Sequence, residues 1–438
     1  MPATPYQYLS LALQFTNLTQ PVTNMAVKSI YNWAGCAIGG YSLPPASVAY
    51  EALSSVLPHH SGNVSVLGSG AWMDIQTAAL VNGIASHVDD YDDTHADTPI
   101  HPSRPVASAL LAVAEWNFPV SGQDFLTAFV AGVEAECKLG VAVYPEYYDV
   151  GWHITSTTGS VGAAVAVGKL LGLSLEHLQH AISIAAVQVN GMHESFGTDT
   201  KPFHVGRAAQ SGLLSALLAQ NGYGGSLQGL EAERGWAHVV STRENLTAEF
   251  STLGETWELS KNTFKPFPCD RIIHAAIDGC VQIHDQAVHN RLDLGTIKNV
   301  TARTNPMVLF LTDNPEPRTS LDAKFSVYHA AAIALLFGQA SPAQFTDEMV
   351  RNTTVVELRA KVHITADEGI SEHEAFYVHI EHALGSIENP LSTQQLKDKF
   401  IEHAGSVIGK QRAEKAFRAF SQIANTSDVG SISRKFRK

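Results

Sequence analysis

The stretch His87-Val88-Asp89-Asp90-Tyr91-Asp92-Asp93-Thr94-His95, closed by Ile100-His101-Pro102-Ser103, gathers carboxylates and imidazoles directly after the apolar run Thr77 to Ala85. Crowded carboxylates raise one another's proton affinity, and imidazole titrates nearest neutrality. The segment can therefore both give and take protons. Two other readings stay open on the residues alone. Imidazole and carboxylate oxygen also suit zinc, manganese or iron, and an Asp/His cluster can be a structural capping and hydrogen-bond network. No His-x-x-x-His pair on one helical face accompanies the block, which counts against metal.

Three further clusters carry candidate chemistry. Gly151-Trp152-His153-Ile154-Thr155-Ser156-Thr157-Thr158-Gly159-Ser160 reads as a small-residue loop opening into a helix, whose amides and hydroxyls would suit a carboxylate. His153 is there either a proton carrier or a capping residue. The stretch Gly197 to Ala209 places Lys201, His204 and Arg207 in a Gly/Pro-bounded loop before another helix. Such cations bind anions, and a desolvated lysine can also move a proton. Lys265, in Phe264-Lys265-Pro266-Phe267-Pro268-Cys269-Asp270-Arg271, lies at the expected domain junction, where ligand clefts concentrate. Three basic clusters and one acidic one in a charge-poor chain predict one shared pocket. The chain has no Gly-x-Gly-x-x-Gly after a strand, no Walker loop and no Gly-x-Ser-x-Gly elbow, so neither a nucleotide cofactor nor a serine hydrolase is supported.

The elements that must position these residues are mostly helical. Ala/Leu/Val-rich runs with Gly/Pro/Asp punctuation predict helices at 6–15, 21–35, 45–56, 73–87, 105–116, 122–143, 159–171, 175–188, 206–219 and 229–237, with Ser121 and Ser174 as caps. After Lys261 the pattern changes. Ile297 to Thr304, Val355 to Ile364 and Glu374 to Glu381 alternate apolar and polar residues as half-buried antiparallel strands do, between helical runs at 272–285 and 326–337. The reading is a helical domain over 1–261, an α+β domain over 262–390, and C-terminal helices over 391–438 that could return to the first domain.

At 438 residues the chain exceeds one ordinary core, and two domains are expected. Its charged fraction of 16% suggests surface buried in an oligomer, and its net charge of −13 argues against nucleic acid. Cys36, Cys137, Cys269 and Cys280 lack the spacing of a metal knuckle or redox pair, which fits a reducing compartment. With no signal-peptide pattern and no apolar run long enough to span a bilayer, the expectation is a soluble cytoplasmic protein with no membrane partner.

With these residues in view, the chain resembles the MmgE/PrpD family, whose members include 2-methylcitrate dehydratases, cis-aconitate decarboxylases and iminodisuccinate epimerases. The resemblance rests on the Asp-Tyr-Asp-Asp-Thr block with His101-Pro102-Ser103, the Gly151-Trp152-His153 stretch, Lys201 to Ala209, Lys265-Pro266-Phe267-Pro268 and Asp322-Ala323-Lys324-Phe325-Ser326. It implies a mainly α protein with a large helical domain built from both chain ends and a smaller α+β lid, acting as a homodimer without metal or organic cofactor. Its implied activity is a lyase, decarboxylase or dehydratase, on a small di- or tricarboxylate. An epimerase or a catalytically silent carboxylate-binding relative is the alternative.

Carried over from the decarboxylase-like members, the pocket would hold Asp90, Thr94, His101, His153, Lys201 and Lys265. His101 would be the general acid/base with Asp90 orienting it, and His153 a second proton carrier. Lys201 and Lys265 would hold carboxylates, with Trp152, His204 and Arg207 beside them. This chain departs from the pattern in one extra residue between Thr94 and His101, and in Leu311 where the animal decarboxylase-like members carry a pocket tyrosine.

Overall fold

The protein is described here from a computed structural model covering residues 15–56, 62–116, 119–242, 244–369, 380 and 382–437. It is mainly α, with 61% helix, and divides into two compact units. The first comprises residues 1–88, 92–262 and 395–438, so both chain ends belong to it. The second comprises 263–394 together with the three residues Asp89–Tyr91. Among the described residues, no helix is long and apolar enough to cross a membrane.

The first unit is a helical assembly. Its principal helices are α1 (Gln20–Gly40), α2 (Ile75–His87), α3 (Ser103–Trp116), α4 (Gly122–Val143), α5 (Ile154–Leu170), α6 (Leu175–Ala186) and α7 (Thr200–Gln220). Helix α5 is apolar or small on every side, as a helix enclosed by others must be. It is buried from Ile154 to Gly168 and packs against α3, α4, α6 and α7. Glycines let the helices approach backbone to backbone. A Cβ on Gly206 would lie 2.3 Å from the Leu80 carbonyl oxygen, and one on Gly83 would lie 2.5 Å from the Gly206 Cα, so α2 and α7 cross in direct contact there. Gly132 and Gly212 seat α4 and α7 on α5 in the same way, since a Cβ on either would lie 2.6 Å or less from an α5 backbone oxygen.

In the second unit, α8 (His274–His289) and α9 (Val327–Phe337) pack over one apolar core that includes Ile273, Ile277, Ile333, Phe345 and Leu358. Two strands, Val300–Thr304 and Val362–Ala366, complete it. Towards the C-terminal end come α10 (Thr393–Ile408) and α11 (Lys410–Ser421), separated by Gly409 at φ +80°, and then the short helix Gly430–Arg434. Helices α10 and α11 return to α1, where Tyr31 meets Phe417 edge to face at 5.1 Å and Gly35 leaves room for Phe400.

Several expectations need correction. The strands pair in parallel, in register Val300↔Val362 to Thr304↔Ala366. Period-two alternation carries no direction, and the helices between the strands supply the long crossover that a parallel pair needs. Val355 to Arg359 is helical, because the Asn352 side chain caps Thr353–Arg359 by accepting from Thr354 N and Val355 N. The expected helix 229–237 is a loop closed by Trp236 N→Gly229 O, followed by the short helix Trp236–Val240. The loops expected before 159 and 206 are helical already, since α5 starts at Ile154 and α7 at Thr200. Pro202 stands in the first turn of α7, where a helix tolerates proline. Helix 6–15, apart from Phe15, and strand 374–381, apart from Ile380, lie outside the described residues.

The glycine crossing generates a test. Gly206→Ala should lower the unfolding free energy by about 1–3 kcal/mol, the usual cost of overpacking, measured as a fall in the urea midpoint at unchanged slope. An unchanged midpoint would mean that α2 and α7 do not meet as described.

Candidate active site

Four helix ends of the first unit present its candidate chemistry. His87 is the last residue of α2, His101 lies two residues before α3, His153 is the N-cap of α5, and Lys201 and His204 stand in the first turns of α7. All five are buried. The imidazole rings form a chain: His101 to His87 at 4.8 Å between centroids, His87 stacked on His153 at 6.0 Å, and His153 to His204 at 5.4 Å. The Lys201 ammonium sits 5.1 Å from the centre of the Phe196 ring, whose edge meets His153.

Hydrogen bonds fix each ring. His101 Nδ1 donates to the Asp93 carbonyl at 2.8 Å and has Thr94 Oγ1 at 3.3 Å, which assigns the neutral ring its proton at Nδ1 and leaves Nε2 as the basic nitrogen. His87 Nδ1 lies 2.6 Å from Asp92 Oδ2, and Arg104 Nε donates to the same oxygen at 2.9 Å. His153 Nδ1 and His204 Nδ1 face each other at 3.2 Å, so one proton serves both. Burial, reinforced by the His87, Lys201 and other imidazole charges, holds His153 well below the ordinary histidine range. Burial and Lys201 push His204 down to about 4. Gly191, at φ +99°, closes one side, since a Cβ there would lie 2.3 Å from Ser156 Oγ and 3.0 Å from His204 Nδ1.

Other predicted residues are placed differently. The Ser156, Thr157 and Thr158 hydroxyls bond carbonyls of their own turn or of Asn190, and Thr155 Oγ1 accepts from His101 N. They are internal supports of α5 rather than an open loop. Trp152 is half-buried and stacks on Tyr147 at 6.2 Å, while exposed Arg207 bonds Gln210.

In the second unit, Lys265 donates to Asp90 Oδ2 at 2.9 Å and to the Cys269 carbonyl at 3.2 Å, and Lys324 binds Asp89 at 2.5 Å. Asp90 takes a left-handed φ of +49°, which aspartate tolerates better than most residues. The charge of Lys265 is thus met by a carboxylate of its own unit. Leu311 lies half-buried in the helix Pro306–Thr312 of that unit.

Two groups of the first unit have ligand-like spacing, His87/Asp92/His101 and His95/Asp97/Glu258, with donor atoms within 4.8 Å of one another. Each already contains a protein cation. Arg104 bonds Asp92, and Lys261 bonds both Asp97 and Glu258 at 2.7 and 2.9 Å. Against the burial that raises it, bonds from His95 and Lys261 hold the Glu258 carboxyl down to about 2. Burial and the Asp93 charge push the Glu136 carboxyl well up, and among the described residues neither of its oxygens has a hydrogen-bond partner.

The sequence reading did not assign roles to His87, Asp92, Arg104 or Phe196. One signal was available for Arg104. A cation in the first turn of a helix opposes the helix dipole and implies a local anion.

The profile of the MmgE/PrpD N-terminal domain matches residues 9–249, and that of the MmgE/PrpD C-terminal domain matches 267–423. The chain belongs to the MmgE/PrpD family. Within it, the chain is 29% identical to cis-aconitate decarboxylase of Homo sapiens, over 95% of this chain and 90% of that protein. It is 26% identical to cis-aconitate decarboxylase of Aspergillus terreus (94% and 91% covered), and 24% identical to 2-methylcitrate dehydratase of Escherichia coli (69% and 65% covered). These relatives carry the names of decarboxylases and dehydratases, which supports an enzyme of this family.

The depressed His204 has a consequence for stability. The unfolded chain binds a proton near the ordinary value of 6.5 and the folded one only at about 4, so stability falls as pH drops through that window. In His204→Gln, the loss of melting temperature between about pH 7 and pH 5 should be smaller than in the parent. An unchanged loss would show that His204 protonates in place.

Proposed function

We propose that this protein is a lyase working by acid/base catalysis on a small di- or tricarboxylate, without metal or organic cofactor, and that it is a decarboxylase before it is a dehydratase. The observation that carries this reading is the chain of buried imidazoles with the Lys201 ammonium beside it. It offers proton carriers and a cation, while the neighbouring Ser156 hydroxyl is engaged by the His153 and Asn190 carbonyls. Decarboxylation is favoured over dehydration because likeness to the decarboxylases spans nearly all of both chains, whereas likeness to the dehydratases spans about two thirds.

In the proposed reaction Lys201 and the starts of α5 and α7 hold substrate carboxylates. The bond to the departing carboxylate breaks, its electron pair stays on carbon, and an imidazolium protonates that carbon. His101 suits the donor, since Asp92 lies 3.4 Å from its Nδ1. His153, kept neutral, suits the acceptor. In a dehydration the neutral imidazole takes a proton from the carbon next to a carboxylate, and the imidazolium protonates the leaving hydroxyl. A second reading, epimerisation, draws on the same pair, because two distinct carriers can take a proton from one face and return it to the other. Leu311 brings no hydroxyl, which favours a substrate other than cis-aconitate itself.

Solvent-deuterium exchange into a panel of di- and tricarboxylates, read by NMR together with CO2 release on chelator-treated protein, tests the reading. CO2 with one deuterium gained at the vacated carbon is expected. Loss of water or inversion without CO2 would select the other reactions, activity restored only by a metal would overturn the metal-free route, and inertness toward every acid that binds would mark a silent relative.

His101→Gln should lower kcat roughly a hundred- to ten-thousandfold with KM little changed, as loss of a general acid/base does. Lys201→Met should raise KM more than it lowers kcat. Near-normal kcat in His101→Gln would move the chemistry elsewhere.

A further inference from the structure

We propose that Asp92, gripped by Arg104 and His87, is the positioning carboxylate for His101, and that these three buried side chains set the tautomers of the imidazole chain. The proposal deepens the acid/base reading above and rests on it for its catalytic consequence.

Arg104 is wholly buried, and its guanidinium spans two consecutive carboxylates, with Nε at 2.9 Å from Asp92 Oδ2 and Nη2 at 3.2 Å from Asp93 Oδ1. It stands in the first turn of α3, the wrong helix end for a cation. Arginine stays protonated under all ordinary conditions, so it keeps Asp92 ionised even while the neighbouring imidazoles are neutral. An ionised Oδ2 at 2.6 Å from His87 Nδ1 requires that nitrogen to carry the proton. The same oxygen lies 3.4 Å from His101 Nδ1, which already donates to the Asp93 carbonyl.

When His101 Nε2 takes a proton, the new positive charge therefore finds a counter-charge already in place, and no group has to reorient. The proton stays on His101 and none passes to Asp92. The His87 ring stands between those of His101 and His153, so its orientation is transmitted to both.

The test uses the full chain labelled with 15N at the histidine rings. In the parent protein, His87 and His101 should show the Nδ1–H tautomer. Asp92→Asn can present an amide donor to His87, so His87 should move toward the Nε2–H form, with kcat falling about a hundredfold and KM staying within about twofold. Asp92→Glu should recover part of both. In a double variant with His87→Gln, kcat should fall no further than in the worse single one, as for residues acting through one path. Unchanged tautomers in Asp92→Asn, with or without a loss of kcat, would overturn the proposal, and so would an unchanged kcat. If Asp92→Asn does not fold, Arg104→Lys, which keeps the charge and loses the fork, is read in the same way. If the parent turns over no carboxylic acid, the acid/base reading fails, while the ring tautomers still decide whether Asp92 sets them.

Discussion

The whole of the first unit depends on how closely its helices can approach. Between Gly83 and Gly206 no side chain intervenes, and backbone meets backbone. Because α2 and α7 touch there, their nearby ends are fixed in relation to each other. His87 follows Gly83 by four residues, and His204 and Lys201 precede Gly206 by two and five. The same contact at Gly132 and Gly212 places the start of α5, and with it His153. Proton transfer tolerates errors of only a fraction of an ångström in the distance between donor and acceptor. Rigid helix ends meet that demand better than loops would.

A second constraint follows from enclosure. Such an apolar body cannot hold charges cheaply, since burying an unpaired ion costs several kcal/mol or more. The buried ions of this unit accordingly come in sets: Arg104 across Asp92 and Asp93, and Lys138 on Glu258, which also takes the partly exposed Lys261. Pairs of this kind add little net stability, but each holds its members in one geometry. Among the described residues, His153 and His204 have no carboxylate partner of this kind and respond in the other way, by staying neutral.

Much of this was legible in the sequence because the signals are local. Helix α4 was read from Gly122 to Val143 as it occurs, and Ser121 and Ser174 cap their helices as expected. The acidic block, His153, Lys201 and His204 all announced themselves by residue type. Partnership was not legible, because it is decided by contacts between distant segments. Asp90 bonds Lys265, 175 residues away in sequence, and Asp92 lies 3.4 Å from His101 Nδ1, and neither partnership can be read from spacing along the chain. Strand direction was hidden for a related reason, since alternation records which face is buried and nothing about the neighbour's polarity. The first turns of α5 and α7 were hidden by glycine, threonine and proline, residues of low intrinsic helix propensity that packing overrode.

Glu136 has a use as a probe. Its carboxyl is wholly buried, and burial keeps its proton on well above the usual acid range. A neutral carboxyl absorbs in the infrared at a carbonyl frequency well apart from that of ionised acids, and the band sharpens and moves when water reaches the group. The protein therefore carries a native vibrational reporter that could register, without any label, whether a bound ligand wets or dries the interior beside Gly159 and Gly162.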